Sequence, residues 1–174
     1  VLHHMDGPSE GWQVLAGLLR PGGIMSIALY SDIARVNAGI VGFQDQFKES
    51  GRGTTVQDLK AFRAEVVSKL KDEVIPHQVT ETADFYSLSG FRDMLCNIKE
   101  HRYSTDEIER ECSDLNLEFL GFDHQGQRGS KLREKFLELN PTPGAQRCLP
   151  LWGKFERAHP DCFIGMYHFW VRKL

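Results

Sequence analysis

Two histidines near the start of the chain, His3 and His4, are the first side chains that could do chemistry. The imidazole group titrates near neutral pH, so either residue could accept a proton or line a pocket. The alternative is that both are ordinary strand-end residues or are disordered. Tyr30, Ser31 and Arg35 follow an apolar run. Because α/β sheets bind ligands beyond the carboxyl ends of their strands, these three are candidate substrate-binding residues.

Further polar candidates lie in the middle of the chain. Tyr86, His101 and Arg102 occupy polar links that flank an apolar helical segment. They are candidate substrate-binding residues, and the alternative is that they cap helices or form hydrogen bonds between them. Arg35 can hold a carboxylate or phosphate through paired N–H groups, and a surface salt bridge is the competing interpretation.

The four cysteines do not form a metal-binding pattern. Cys96, Cys112, Cys148 and Cys162 are far apart, whereas zinc ligands favour spacings of about two to four residues. We therefore predict no metal site. Cysteines within amphipathic helices are usually small buried apolar residues, so we expect reduced, structural thiols and a cytoplasmic location.

Composition predicts one globular domain over residues 1–174. The chain is 41% hydrophobic and 26% charged, which is ordinary for a globular protein. The net charge of −3 and the scattered basic residues give no reason to expect nucleic acid or anionic lipid as a partner. No apolar stretch reaches the ~20 residues of a membrane-spanning helix, so no membrane association is predicted.

The elements that position these residues begin with half of an α/β unit. Residues 1–5 have the pattern of the end of a buried strand, so we expect a chain cut from something longer. Ser9 and Glu10 start a helix, which Pro21 stops before a glycine turn. The continuous apolar run Ile24–Leu29 predicts a strand covered on both faces.

Downstream, the sequence is mostly helical. Asp32 to Asn116 carries apolar residues at helical spacing, with capping residues at Thr55 and at Ser104 or Thr105. The remaining segments predict strands at Leu117–Phe122 and Met166–Val171 and helices at Ser130–Leu139 and Leu151–His159. The fold class is therefore α/β, with a small sheet of about three strands and many helices.

Several segments in order resemble one family. "VLHHM" followed by "LLRPGGIMSIALYS", and later "DFYSLSGFRDMLCN", "EHRYSTDEIE", "LEFLGFD" and "HPDCFIGMYHFWV", resemble the C-terminal part of a class I S-adenosylmethionine-dependent methyltransferase. The resemblance is to the bacterial group that is often fused to tetratricopeptide repeats. It implies the C-terminal portion of a Rossmann-like methyltransferase fold, in which the helical stretch 32–116 is an insertion or lid.

The resemblance also assigns roles and neighbours. It places Leu2, His3 and His4 at the end of the family's fourth strand, against S-adenosylmethionine. It maps Ile24–Leu29, Met166–Arg172 and Leu117–Phe122 to the fifth, seventh and sixth strands, adjacent in that order, with the seventh antiparallel. The fifth strand would then have an exposed apolar edge, so we expect self-association through that edge.

The sequence departs from the family in its cofactor-binding half. The family has a glycine-rich turn after its first strand and an acidic residue at the end of its second. The glycine pairs at 51–53 and 126–129 do not have that context or spacing. The resemblance thus implies a methyltransferase fragment that is inactive by itself, with an unknown methyl acceptor. The alternative is a non-catalytic α/β module for protein association.

Overall fold

The structure, a computed structural model, describes residues 2–69, 77–97, 99–124, 126–163 and 165–174. The chain divides into two compact units. We call Val1–Ala34 with His101–Leu174 the sheet unit, and Arg35–Glu100 the helical unit. The expectations of one domain over 1–174 and of an insertion or lid over 32–116 are not decided by this division and stay predictions.

The sheet unit contains a mixed sheet. Its strands within the described residues are β1 (Ile24–Ser31), β2 (Arg102–Tyr103), β3 (Leu117–Phe122) and β4 (Met166–Lys173). Their spatial order is β2-β1-β4-β3. β4 is antiparallel to both of its neighbours, and β1 pairs with β2 in parallel. The sheet and the surrounding helices confirm the α/β class.

The order of the three long strands agrees with the sequence prediction. β4 lies between β1 and β3, with Ile27 opposite Phe169 on one side and Phe119 opposite Val171 on the other. The predicted number of about three strands is too low, because β2 is a fourth. The sequence predicts a polar link around Arg102, since two residues are too few to show the alternation of a strand.

One face of the sheet carries the core, and the other is partly open. Ile27 and Leu29 of β1 are buried, whereas Ile24 is 56% exposed. Trp170 of β4 is 39% exposed on the open face. The expectation that Ile24–Leu29 is buried on both faces is therefore wrong. The strand belongs to an antiparallel pair with β4, and such a pair can leave one face to solvent.

The helices surround the sheet or form the helical unit. Their bounds are α1 (Pro8–Leu18), α2 (Asp32–Asn37), α3 (Ile40–Glu49), α4 (Val56–Lys69), α5 (His77–Thr80), α6 (Ala83–Tyr86), α7 (Leu88–Cys96), α8 (Thr105–Asp114), α9 (Gly126–Leu139) and α10 (Leu149–Ala158). Leu2–His4 is a 3₁₀ turn and not the end of a strand, which corrects the expectation for the opening of the chain. A second 3₁₀ turn spans Ala145–Arg147.

Local chemistry accounts for the turn that leads into β1. The Gly23 N–H donates to the Arg20 carbonyl at 2.8 Å, which closes a four-residue turn around Pro21 and Gly22. Gly22 has φ +77°, as the third residue of a type II turn requires. The Pro-Gly-Gly sequence thus forms the turn that connects α1 to β1, the strand that carries Tyr30 and Ser31.

Each unit has its own hydrophobic cluster. In the sheet unit, Trp12 of α1 contacts Phe169 of β4 with ring centroids 6.0 Å apart, and Trp152 of α10 stacks on Phe136 of α9 at 3.6 Å. In the helical unit, Phe43 and Phe62 form the centre of a separate cluster. Burial of such large aromatic side chains supplies most of the stabilisation of each unit.

Candidate functional site

The carboxyl end of β1 brings several predicted site residues together in the sheet unit. The ring of Tyr30 lies 4.2 Å from that of His3 and 5.8 Å from that of His4, measured between centroids. The two imidazoles are 4.2 Å apart. His3 is buried, whereas His4 and Tyr30 are half-buried. These three rings form a compact aromatic group at the place where α/β sheets bind ligands.

Backbone pairing fixes His101 and Arg102 beside this group. The His101 N–H donates to the His3 carbonyl at 2.8 Å, while the side chain of His101 is exposed. Arg102 is paired with Tyr30 across β1 and β2. The Arg102 guanidinium contacts the Asp32 carboxylate at 3.1 Å. The structure therefore places both residues at the same end of the sheet as the aromatic group.

Leu2 lies in the hydrophobic core. It is 8% exposed and belongs to the same cluster as Trp12 and Ala16 of α1. The 3₁₀ turn that contains Leu2 also sets the directions of His3 and His4. Leu2 anchors this turn, and the cofactor contact expected for it stays a prediction.

The Ser31 side chain takes part in a buried hydrogen-bond cluster. Its hydroxyl donates to Glu156 Oε1 at 2.5 Å, and the Tyr167 hydroxyl donates to Glu156 Oε2 at 2.6 Å. The Ala34 N–H donates to the Ser31 oxygen at 3.0 Å. Ser31 and Tyr167 are fully buried, and Glu156 is 1% exposed. The cluster joins the end of β1 to α10 and β4.

Burial dominates the electrostatics of this cluster. It raises the pKa of Glu156, although the hydrogen bonds from Ser31 and Tyr167 oppose the rise. The pKa of the Tyr167 hydroxyl is raised by burial and by the adjacent Glu156 carboxylate. Burial likewise raises the pKa of the Cys162 thiol, with a further contribution from Glu156. An enclosed carboxyl group with two hydroxyl donors holds strands together and keeps a proton to a higher pH than an exposed glutamate.

Arg35 and Tyr86 lie in the helical unit. Arg35 binds the Glu100 carboxylate through two N–H groups, with Nε 3.0 Å from Oε1 and the second contact between Nη2 and Oε2. Both side chains are 8% exposed, so the pair is buried. The Gln44 amide also donates to Glu100, at 3.2 Å. Arg35 thus does hold a carboxylate, but one from its own chain. Tyr86 is 67% exposed at the end of α6.

Sequence reasoning missed Glu156, although a signal was present. Leu149, Trp152 and Glu156 are separated by three and four residues, which places the glutamate on the apolar face of α10. An acidic residue on a core-facing stripe predicts a buried carboxyl group with hydrogen-bond partners. The predicted helix Leu151–His159 contains this glutamate, but the sequence analysis assigns it no role.

The described residues lack the features of a metal centre. They contain no group of three or more His, Cys, Asp or Glu side chains that could hold a metal ion. The thiols of all four cysteines are free. In the part of the chain that the structure describes, no helix has the length and apolar character needed to cross a membrane.

Comparison with known proteins identifies an uncharacterized relative. No family model matches the chain. The chain is 27% identical over 153 residues to syc1184_c, an uncharacterized protein of Synechococcus sp.. The match covers 80% of this chain but 36% of that protein, so the chain spans about a third of the length of its relative. This similarity carries no assigned activity.

Proposed function

We propose that this chain is the C-terminal part of a class I S-adenosylmethionine-dependent methyltransferase domain. The observation that carries the proposal is the order of β1, β4 and β3, with β4 antiparallel between the other two. The family resemblance implies this order for its fifth, seventh and sixth strands. The topology supports the proposal because the last strand of the chain lies between two earlier strands and is antiparallel to both, which is the arrangement that the resemblance implies.

The aromatic group at the end of β1 suits one wall of a cofactor pocket. S-adenosylmethionine, when bound, supplies a methyl group on a positively charged sulfonium. Cations are attracted to aromatic faces, and Tyr30 lies beside His3 and His4. The half-buried His4 would accept a proton from a hydroxyl or ammonium acceptor. Methyl transfer otherwise depends on proximity and alignment, which the fixed end of β1 would provide.

The chain supplies only part of such a pocket. The glycine-rich turn and the acidic strand end that the family uses for the cofactor do not occur in its sequence. A relative in which the match covers 36% of the length is consistent with a longer enzyme. We therefore expect the complete methyltransferase to combine these residues with an additional segment.

The first test is calorimetric titration of S-adenosylhomocysteine into this 174-residue chain and into the full-length Synechococcus relative. We expect saturable binding by the relative and none by the 174-residue chain. Binding by the shorter chain would show that it completes a pocket without further residues. Absence of binding in both proteins would contradict the methyltransferase proposal.

A second test addresses the aromatic group within a protein that binds the cofactor. In a protein that joins this chain to a cofactor-binding segment, Tyr30→Ala should weaken S-adenosylmethionine binding about tenfold, because an aromatic contact with a desolvated cation contributes about 1–2 kcal/mol. The matched control is His168→Ala, which changes an exposed ring on β4. If both variants bind with equal affinity, the aromatic group is not part of the binding site.

The non-catalytic association module remains a second candidate because of its exposed apolar residues. Ile24 of β1 is 56% exposed and Trp170 of the paired strand β4 is 39% exposed, both on the open face of the sheet. Apolar side chains of this exposure on neighbouring elements are typical of interaction surfaces. Concentration-dependent association without cofactor binding in the longer protein would favour this function over the enzyme.

A further inference from the structure

Helix α1 of the sheet unit is apolar on two opposite sides. Its inner side carries Trp12 and Ala16, which are buried in the hydrophobic core. On the outer side, Val14 is 64% exposed and Leu18 is 78% exposed. These two residues are four positions apart, so their side chains lie next to each other on one ridge of the helix. A helix that is apolar all round is normally buried on both sides, so this outer ridge is suited to contact with another surface.

Gly17 is a second feature of the outer side of α1. The helix has two glycines, and they differ in what surrounds them. An added Cβ at Gly11 would lie 2.7 Å from both Leu2 Cδ2 and Met5 Sδ, so packing within the chain accounts for that glycine. An added Cβ at Gly17 would have no heavy atom of the described residues within 4 Å. Because glycine is unfavourable inside a helix relative to alanine, Gly17 weakens α1 without relieving any contact in the described part of the chain. Its effect is to let a second backbone come close to the ridge.

The charges at the two ends of α1 have opposite signs. Glu10 lies in the first turn, four residues before Val14 and therefore on the same ridge, and it is exposed. Arg20 follows the last helical residue by two positions and is also exposed. Two copies of α1 packed antiparallel would bring each Glu10 beside Arg20 of the other copy, whereas a parallel arrangement would bring like charges together. The antiparallel arrangement also places opposite ends of the two helix dipoles side by side.

We propose that the outer ridge of α1, formed by Val14, Gly17 and Leu18, binds the same ridge of a second copy of this chain in antiparallel orientation. A two-fold axis makes every contact occur twice, so a surface pairs with itself only if it is self-complementary. Glu10 and Arg20 meet this condition, which favours a second copy over an unrelated apolar partner. The contact does not involve the edge of β1 or the aromatic group, and it is independent of methyl transfer. Because one helix buries a small area, we expect a weak dimer that forms only at high concentration.

Sedimentation equilibrium of the 174-residue chain, from micromolar to millimolar concentration, measures this association. Leu18→Glu should weaken it about tenfold, because each dimer loses two buried leucine side chains and gains two charges against an apolar ridge. The matched control is Leu139→Glu, since Leu139 on α9 is 61% exposed and its replacement should leave the association unchanged. Equal effects of the two substitutions, or an unsubstituted chain that is monomeric throughout, would overturn the proposal.

An exchange of charges tests the antiparallel orientation. At low salt, Glu10→Arg and Arg20→Glu should each weaken the association about fivefold, because an exposed ion pair contributes little but the two-fold axis removes two of them. An equimolar mixture of the two variants should associate again, since each contact between unlike chains then joins opposite charges. A mixture that associates no more strongly than its separate components would overturn the proposal.

Gly17→Ala separates association from folding. Alanine favours the helix, so the thermal unfolding midpoint should rise when it is measured at a concentration at which the chain is monomeric. The association should weaken, because the added methyl group holds the two backbones apart. Association that strengthens together with the helix would contradict the proposed contact. The whole series is repeated with Ile24→Lys in every chain, so that the edge of β1 does not contribute. S-adenosylhomocysteine binding is measured separately, so this proposal and the proposed function can fail independently.

Discussion

Glu156 gives the sheet unit a pH-dependent contribution to its stability. Burial holds its pKa above the value of about 4.3 for an unfolded chain, so the folded state keeps the proton to a higher pH. The stability that comes from this difference is fully present below about pH 4.3 and is lost as the pH rises through the folded pKa. Glu156→Gln should remove this pH dependence, measured as the free energy of unfolding in urea across the pH range.

A second substitution, Glu156→Ala, tests the hydrogen bonds that Glu156 accepts from the Ser31 and Tyr167 hydroxyls. Glu156→Ala leaves the Ser31 and Tyr167 hydroxyls without acceptors, and should cost about 2–5 kcal/mol at every pH. Glutamine keeps an acceptor and a donor in the same volume, so it should cost much less. A pH profile that is the same for the wild-type and Glu156→Gln chains would contradict this account.

The buried pair of Arg35 and Glu100 should be costly to break from one side. Both side chains are 8% exposed, so Arg35→Met or Glu100→Met leaves an uncompensated buried charge and should destabilise the helical unit by about 3–5 kcal/mol. The double variant should be less destabilised than the sum of the two single variants. Chemical denaturation of the wild type, the two single variants and the double variant measures the coupling free energy between Arg35 and Glu100. If the effects of the two single variants add up to that of the double variant, the ion pair does not contribute to stability.

The candidate site illustrates what sequence can and cannot predict. Tyr30, His3 and His4 are predicted as site residues from their positions at strand ends, and the structure does bring their rings together. The expectation that His3 and His4 lie at the end of a strand is wrong, because both residues belong to a 3₁₀ turn. Ser31 is expected to face a ligand, yet its hydroxyl reaches Glu156, which is far away in the sequence. Long-range partners of this kind leave no local pattern.

Among the secondary-structure elements, Gly39 separates helix α2 from helix α3. Gly39 has φ +74° and precedes α3, whereas Gly42 lies inside α3, where an added methyl group would meet no atom within 4 Å. Gly39→Ala should therefore destabilise the helical unit by about 1–2 kcal/mol. Gly42→Ala should stabilise it by about 0.5–1 kcal/mol, because alanine favours the helix. Thermal unfolding of the two variants should give shifts of opposite sign.

Elements with strong local signals are predicted well. The capping residues are decisive for α4 and α8: Thr55 and Asp58 exchange hydrogen bonds, and Ser104, one of two candidates, forms a capping box with Glu107. The sequence does not predict the short strand β2, because its pairing with β1 depends on a neighbour about seventy residues earlier. Its two residues have no pattern of their own.

At the scale of the whole molecule, self-association through the edge of β1 stays a prediction. In the described residues, β2 pairs only with Tyr30 and Ser31, so the strand from Ile24 to Leu29 has no neighbour on that side. Exposed strand edges pair readily with other chains. Analytical ultracentrifugation should show concentration-dependent dimers for the natural chain, and Ile24→Lys should shift it toward the monomer.

The matched control for this experiment is Val36→Lys. Val36 and Ile24 are both 56% exposed, but Val36 lies on α2 and not on the sheet edge. The same added charge at equal exposure should leave the dimer intact if the edge of β1 forms the contact. A chain that is monomeric at all concentrations would exclude self-association.

Because β1 is paired with β2, the helical unit can be deleted from the chain as one continuous segment. Tyr30 and Ser31 stand beside Arg102 and Tyr103, so the chain leaves and re-enters the sheet unit at neighbouring points. Strands in a sheet are about 4.8 Å apart, and an extended residue spans about 3.3–3.6 Å, so a Gly-Ser linker of about six residues can replace Arg35–Glu100. The shortened chain should keep a cooperative unfolding transition, since the sheet unit has its own core. The length and sequence of Arg35–Glu100 can therefore change while the pairing of β1 with β2 stays in place.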